Sequence, residues 1–218
     1  RCTKACSQPM GARFISETRR YGPEAAGLAM LFLVVACGWL QGRGVFEAVD
    51  HALMQATGDA RSGGGSLLTP FAIALSRVAD VSGRLLMLGV LALAMMWRGL
   101  GRQWLWLAAV SLIAMLLNTA LKHLFAAARP EILAHLDPTM TYSFPSGHAS
   151  GNAVFLGALA MLWPSRAGSA VALALIGMIG ISRVWLGVHW PSDVVCGWIE
   201  GAAILLLARR WQPARSPA

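Results

Sequence analysis

Three short polar clusters hold the side chains best suited to chemistry. The first is Lys122, followed seven residues later by Arg129 and Pro130. The second is Pro145-Ser146-Gly147-His148, and the third is Ser182-Arg183 with His189 and Asp193 behind it. Lys122, Arg129 and Arg183 offer three positive charges, enough for a phosphate-like anion of two or three negative charges. Ser146 is a good N-cap, and Gly147 lets a ligand come close to the backbone. The apolar run after them would then open as a helix with free N–H groups, a ready anion site. His189 and Asp193 stand four apart around Pro191, which fits the first turn of a helix. Asp193 can accept a hydrogen bond from one ring nitrogen of His189 and fix its tautomer, leaving the other nitrogen as a nucleophile. His148 can serve as general acid and then as base. Such a set predicts two-step phosphoryl transfer through a phosphohistidine. Asp80, Asp137 and Asp193 are dispersed in sequence, so neither a metal nor another cofactor is expected.

The elements that must position these residues are membrane helices. The chain is 56% hydrophobic and 13% charged, with a mean hydropathy of +0.58. Soluble domains carry about 25% charged residues. An all-α, polytopic membrane bundle is the expected class. The net charge of +8 does not argue for nucleic acid. Its basic residues gather at the ends of apolar runs, as topology signals do. The cysteines Cys2, Cys6, Cys37 and Cys196 match neither a zinc site nor a disulfide framework.

Six apolar runs are read as transmembrane helices: Ala25–Gln41, Val81–Trp97, Gln103–Phe125, His148–Trp163, Ala167–Ser182 and Pro191–Ala208. Residues 1–24 are expected to be a mobile, basic cytoplasmic tail, 25–210 one six-helix domain, and 211–218 a short second tail. Val34-Val35-Ala36-Cys37 resembles a lipoprotein cleavage site, but the first run is read as a retained member of an even-numbered bundle. An interfacial helix is expected around Val45–Thr57, and an amphipathic stretch over Leu67–Val81. Arg84 is expected to snorkel at the start of the second span, and Trp104 and Trp106 to form an interfacial belt. Lys and Arg concentrate at the two termini and at the Trp97–Arg102 and Pro164–Arg166 turns, which predicts cytoplasmic termini. Lys122, His148, Arg183 and His189 then all fall at the opposite, outer face. Ionisable groups at membrane depth are costly, so their convergence points to function.

Lys122-x6-Arg129-Pro130, Pro145-Ser146-Gly147-His148 and Ser182-Arg183-x5-His189-x3-Asp193 together resemble the three signature motifs of the type-2 phosphatidic acid phosphatase superfamily. All three are complete and in order over residues 122–193. Length and layout are similar to the six-span bacterial membrane branch. The resemblance implies a metal-independent lipid phosphatase of the inner membrane, acting on undecaprenyl diphosphate, phosphatidate or phosphatidylglycerophosphate. His189 would be the nucleophile, Asp193 its orienting partner and His148 the acid and base. Lys122, Arg129, Ser146, Gly147 and Arg183 would bind the phosphoryl oxygens. A lipid A phosphatase or a lipid phosphotransferase would use the same residues. A vanadium haloperoxidase and a non-catalytic lipid-binding or transport protein are the rivals from other classes. The six spans disfavour the first, and the complete His148, His189 and Asp193 set disfavours the second. The expected partners are the lipid substrate and the bilayer, with no obligate protein partner.

Glu200 lies seven residues beyond Asp193 inside the sixth run and needs a partner, for which Asn118 is a candidate. Gly147 with Gly151, and Gly197 with Gly201, are spaced for close helix packing. His51 and His135 are read as surface residues. Trp185 and Trp190 are read as interface or pocket-wall residues, and Tyr142 and Phe144 as belt residues or the rim of a lipid entrance.

Overall fold

In the computed structural model, residues 10–64 and 67–214 are described, with side chains from residue 22 onward. All regular structure among them is helical: α1 Met10–Gln41, α2 Glu47–Ser62, α3 Leu68–Val78, α4 Val81–Trp97, α5 Gly101–Phe125, α6 Gly147–Leu162, α7 Arg166–Trp185 and α8 Pro191–Ala208, closed by a 3-10 turn at Arg209–Trp211. Helix α1 starts well before Ala25. From Met10 on, the expected tail is therefore already helical, in keeping with helix formers such as Ala12, Glu17, Arg19 and Arg20. Cys2, Cys6 and the first basic residues lie outside the described residues.

Among the described residues, four segments are long and apolar enough to cross a membrane: Gly22–Gln41, Gly101–Phe125, Arg166–Trp185 and Pro191–Trp211. A fifth forms if α3 and α4, bent by 55° at Ala79–Asp80, act as one broken span. Helix α6 has 16 residues, about 24 Å of helix against a hydrocarbon core of about 30 Å. The expectation of six spans thus meets four, or five with the bent pair. Leu28, Phe32, Trp39, Leu86, Leu93, Leu105, Leu116 and Leu173 are exposed on outward faces. That is the pattern of a membrane protein, whose outer surface faces lipid.

Helices α6 and α8 form the centre of the bundle. Trp106, Leu107, Val110 and Ala114 of α5 pack with Val154, Phe155, Ala158 and Leu162 of α6 and with Ile204 and Ala208 of α8. Trp106 is only 7% exposed and donates to the Ala208 carbonyl at 3.2 Å. It is a core residue, not part of a belt. Trp104 turns inward too, donating to the Leu88 carbonyl at 3.2 Å. Helix α8 meets α6 through Gly197 and Gly201. A Cβ at Gly201 would lie 2.6 Å from the Ala153 Cβ, and one at Gly197 would lie 2.6 Å from the Ser146 carbonyl oxygen. Close packing is therefore what these glycines allow. Helix α2 is the expected helix after the first span, displaced by a few residues.

Candidate active site

Four helix ends meet at one end of the bundle. Helices α5 and α7 arrive by their C-termini, with Lys122 and Arg183 in their last turns, where cations offset the helix dipole. Helices α6 and α8 begin there, presenting free N–H groups. A cavity of about 580 Å³ is lined by Lys122, Arg129, Gly147, His148, Arg183 and His189 together. Convergence of the three sequence clusters at one end is thus realised in the fold. The cavity continues between α4 and α5 as an apolar cleft lined by Leu85, Leu88, Leu112 and Met115.

His189 sits just before α8 and is 2% exposed. Pro191 occupies the first position of α8, where its missing N–H costs no intrahelical bond. Asp193 in that first turn accepts from the Trp190 backbone N–H at 3.0 Å and lies 3.3 Å from Nδ1 of His189. Ser143 donates to the same carboxylate oxygen and lies 3.3 Å from His189 Nδ1. The other Asp193 oxygen accepts from Gln41 Nε2 at 2.8 Å. Nδ1 of His189 is thus held by Asp193, while Nε2 faces Arg129 Nη1 at 3.4 Å. Burial, and then the charges of Lys122, Arg129 and Arg183, push the His189 pKa well below 6.5. The imidazole is held neutral with Nε2 toward the cations, the form a nucleophile needs.

Arg129 lies outside α5, which ends at Phe125 with Ala126 in a left-handed cap conformation (φ 46°). It folds back, as Pro130 predicts, and donates to the Val188 carbonyl at 2.5 Å and the Thr141 carbonyl at 2.8 Å. It does not share a helix face with Lys122. Burial first, then neighbouring Arg183, lower its pKa to about 10. Lys122 Nζ donates to the carbonyls of Tyr142 at 2.6 Å and Ser143 at 3.1 Å. Arg183 is 2% exposed and bonds Asp137 at 2.5 Å and the hydroxyl of Ser76.

Ser146 takes the N-cap position of α6, but its hydroxyl makes no capping bond. That buried oxygen has no protein partner and remains able to bond a ligand. The Ser146 backbone N–H donates to the Asp193 carbonyl at 3.0 Å, tying the two clusters together. His148 Nε2 donates to the Ser76 carbonyl at 3.2 Å and lies 3.8 Å from Asp80. The Nε2 proton is therefore directed at the α3 backbone.

Several residues at the site were not legible as such. Ser76, Asp137, Ser143, Gln41 and Arg84 carry no motif; only their placement reveals them. Asp137 stands far from Arg183 in sequence, yet the fold brings it onto that side chain. Asp50, on α2, accepts from the Ser192 backbone N–H at 2.9 Å and its hydroxyl at 2.6 Å. Arg84 does not snorkel outward; it lines the cavity. Glu200 finds Asn118 at 2.8 Å, as expected. Phe144 is fully buried against Val34, Leu121 and Cys196, so it is core and no entrance. His51 stacks on Trp190 at 5.3 Å, and His135 bonds the Pro130 carbonyl at 2.6 Å. Trp185 donates to Thr69 at 3.1 Å.

An all-helical membrane bundle with a basic, two-histidine cavity at one end is the class these features define. Residues 103–217, more than half of the chain, match the PAP2 superfamily, and the chain belongs to that superfamily. It is 33% identical over 106 residues to decaprenylphosphoryl-5-phosphoribose phosphatase of Mycobacterium tuberculosis, covering 47% of this chain and 58% of the relative. It is 38% identical over 104 residues to undecaprenyl-diphosphatase of Sulfolobus acidocaldarius, covering 44% and 48%. The chain thus spans about half the length of these curated relatives. Phosphatidylglycerophosphatase B of Escherichia coli is 35% identical over 78 residues, covering 34% of this chain and 31% of the relative. Among solved structures, the transmembrane PAP2-type phosphatidylglycerolphosphate phosphatase of Bacillus subtilis superposes with a TM-score of 0.74 at 22% identity, covering 87% of this chain and 95% of that one. LpxE of Aquifex aeolicus gives 0.57 at 22% identity, covering 66% and 86%.

Proposed function

We propose that this chain is an integral membrane lipid phosphatase that removes phosphate or diphosphate-linked phosphate from membrane lipids through a phosphohistidine on His189. The observation that carries this reading is His189 itself. Its Nδ1 is fixed by Asp193 and Ser143, and its Nε2 faces a cationic cavity that runs on into an apolar cleft. The names of the relatives, all phosphatases of lipid-linked substrates, support the same class.

In the first step Nε2 of His189 attacks phosphorus. Lys122, Arg129 and Arg183 hold the negative oxygens, with the Ser146 hydroxyl and the N–H groups at the start of α6. His148 gives its proton to the leaving oxygen. In the second step His148 takes a proton from water, which attacks the phosphohistidine and frees inorganic phosphate. The lipid tail lies in the cleft between α4 and α5, beside Leu85, Leu88, Leu112 and Met115.

The bundle crosses the membrane six times, with the bent α3–α4 pair as one span and the short α6 as another. Both termini face the cytoplasm and the site opens to the outer face of a bacterial-type inner membrane. Residues 25–210 act as one unit between two cytoplasmic tails. Purified full chain, offered a polyprenyl diphosphate, phosphatidate, phosphatidylglycerophosphate and lipid A, should release phosphate from at least one, in EDTA as without it. His189→Ala should abolish release while the protein still inserts and folds. Turnover retained by that variant would remove His189 as the nucleophile.

A further inference from the structure

The signature cations account for the phosphoryl group that is transferred. Arg84 is a fourth cation in the same cavity, and the proposed reaction has so far given it no role. It sits in the first turn of α4, just after the bend that follows α3. Its guanidinium lies flat against Gly151 of α6. A Cβ at Gly151 would stand 2.6 Å from Cζ and 2.7 and 2.8 Å from the two terminal nitrogens. Gly151 is about one helical turn beyond His148. Only a glycine leaves room for the group there.

Arg84 Nη1 donates to the Ala79 carbonyl at 3.0 Å. Among the described residues, no carboxylate lies within ion-pair distance of it. Asp80 is one turn back on the chain, turned to His148 at 3.8 Å and to the Ser82 hydroxyl at 3.3 Å. Leu85 and Leu88 follow Arg84 on α4 and line the apolar cleft. Arg84 therefore stands where the cavity passes from the phosphate pocket to the tail cleft, next to the residue that meets the leaving oxygen.

Resting on the lipid phosphatase reading above, we propose that Arg84 receives the leaving phosphate of a lipid diphosphate and selects that substrate class over lipid monophosphates. An alcohol leaving group becomes neutral once His148 protonates it and gains little from a nearby cation. A lipid monophosphate leaves as an anion, and a planar guanidinium can grip two of its oxygens. In the step, His189 Nε2 forms a bond to the terminal phosphorus. The bond from that phosphorus to the bridging oxygen breaks, its electron pair goes to the bridging oxygen, and His148 protonates that oxygen as before. The departing lipid monophosphate keeps the negative charge of its other oxygens, and that charge lies beside Arg84. Water then releases inorganic phosphate from His189, as before.

The test compares a polyprenyl diphosphate with the monophosphate of the same tail, using purified full chain. In wild type, kcat/KM should favour the diphosphate. Arg84→Gln should lower the diphosphate-to-monophosphate ratio on the order of 10- to 100-fold, the worth of a charge-assisted bond. Arg84→Lys should keep part of it. Gly151→Ala keeps the charge but displaces the guanidinium, and should lower the ratio in the same direction. This variant decides the matter if Arg84→Gln is not recovered folded. An unchanged ratio in both Arg84→Gln and Gly151→Ala overturns the proposal. Wild type that releases phosphate from neither substrate overturns the phosphatase reading itself, a result separable from loss of selectivity.

Discussion

The two nitrogens of His189 have different neighbours, and the division of labour in the site follows from that. Nδ1 lies against Asp193 and Ser143, and Nε2 faces Arg129. Burial and the nearby Lys122, Arg129 and Arg183 all disfavour the imidazolium. Because the pKa is lowered, protonation is postponed to more acid pH than for an ordinary histidine near 6.5. Nitrogen-15 NMR of the ligand-free protein at about pH 5.5 should therefore show His189 neutral. An imidazolium spectrum there would contradict this account. His189, Asp193, His148 and the three cations were legible in the sequence, because their residue types at those spacings have few other uses at the ends of apolar helices. Ser143 was not legible. A serine in a polar loop looks the same whether it faces solvent or a buried carboxylate, and only the path of the chain after Arg129 decides.

At the scale of elements, α1 and α2 are more than a membrane anchor and a surface helix. Gln41 at the end of α1 donates to Asp193, and Asp50 on α2 accepts twice from Ser192. The start of α8, which carries Asp193, the partner of the proposed nucleophile, is thus clamped from two other helices. Gln41→Ala should lower kcat by about 10-fold with little change in KM, since a bond to a charged group is worth about 1.5–3 kcal/mol. Gln41→Asn should rescue little, because its shorter side chain falls short of Asp193. Loss of folded protein in place of a kcat effect would reduce Gln41 to a packing residue. The helices themselves were readable from apolar runs and turn residues, often to within a few residues. Apolarity could not show that α3 and α4 break at Ala79–Asp80, or that Arg84 turns inward. The inward turn of Arg84 depends on Gly151, which opens the space on a different helix. Trp106 misled for the same reason: a tryptophan near a helix end fits a belt, and its burial depends on α8 packing alongside.

For the whole molecule, four helix ends gathered at one end of the bundle place every charged site residue on one side. A reporter fused at Ala218 should read as cytoplasmic, and a periplasmic signal would invert the proposed orientation. The loop from Ala126 to Ser146 closes over that end. It is pinned by Lys122 to the Tyr142 and Ser143 carbonyls, by the Leu136 N–H to the Leu186 carbonyl at 3.0 Å, and by Asp137 to Arg183. The last tie joins the loop to α7 and, through Ser76, to α3. Burial alone would raise the Asp137 pKa. The bonds from Arg183 and Ser76 outweigh it, so the carboxylate is more acidic than usual and stays charged at neutral pH. A carboxylate on Arg183 is an internal rival to any free phosphate that would settle there. Product should therefore be expelled rather than retained, and the protein should tolerate phosphate-rich surroundings. Asp137→Asn, measured for inhibition by added inorganic phosphate, should bind that product more tightly by several-fold; an unchanged inhibition constant would leave Asp137 as a loop tether alone.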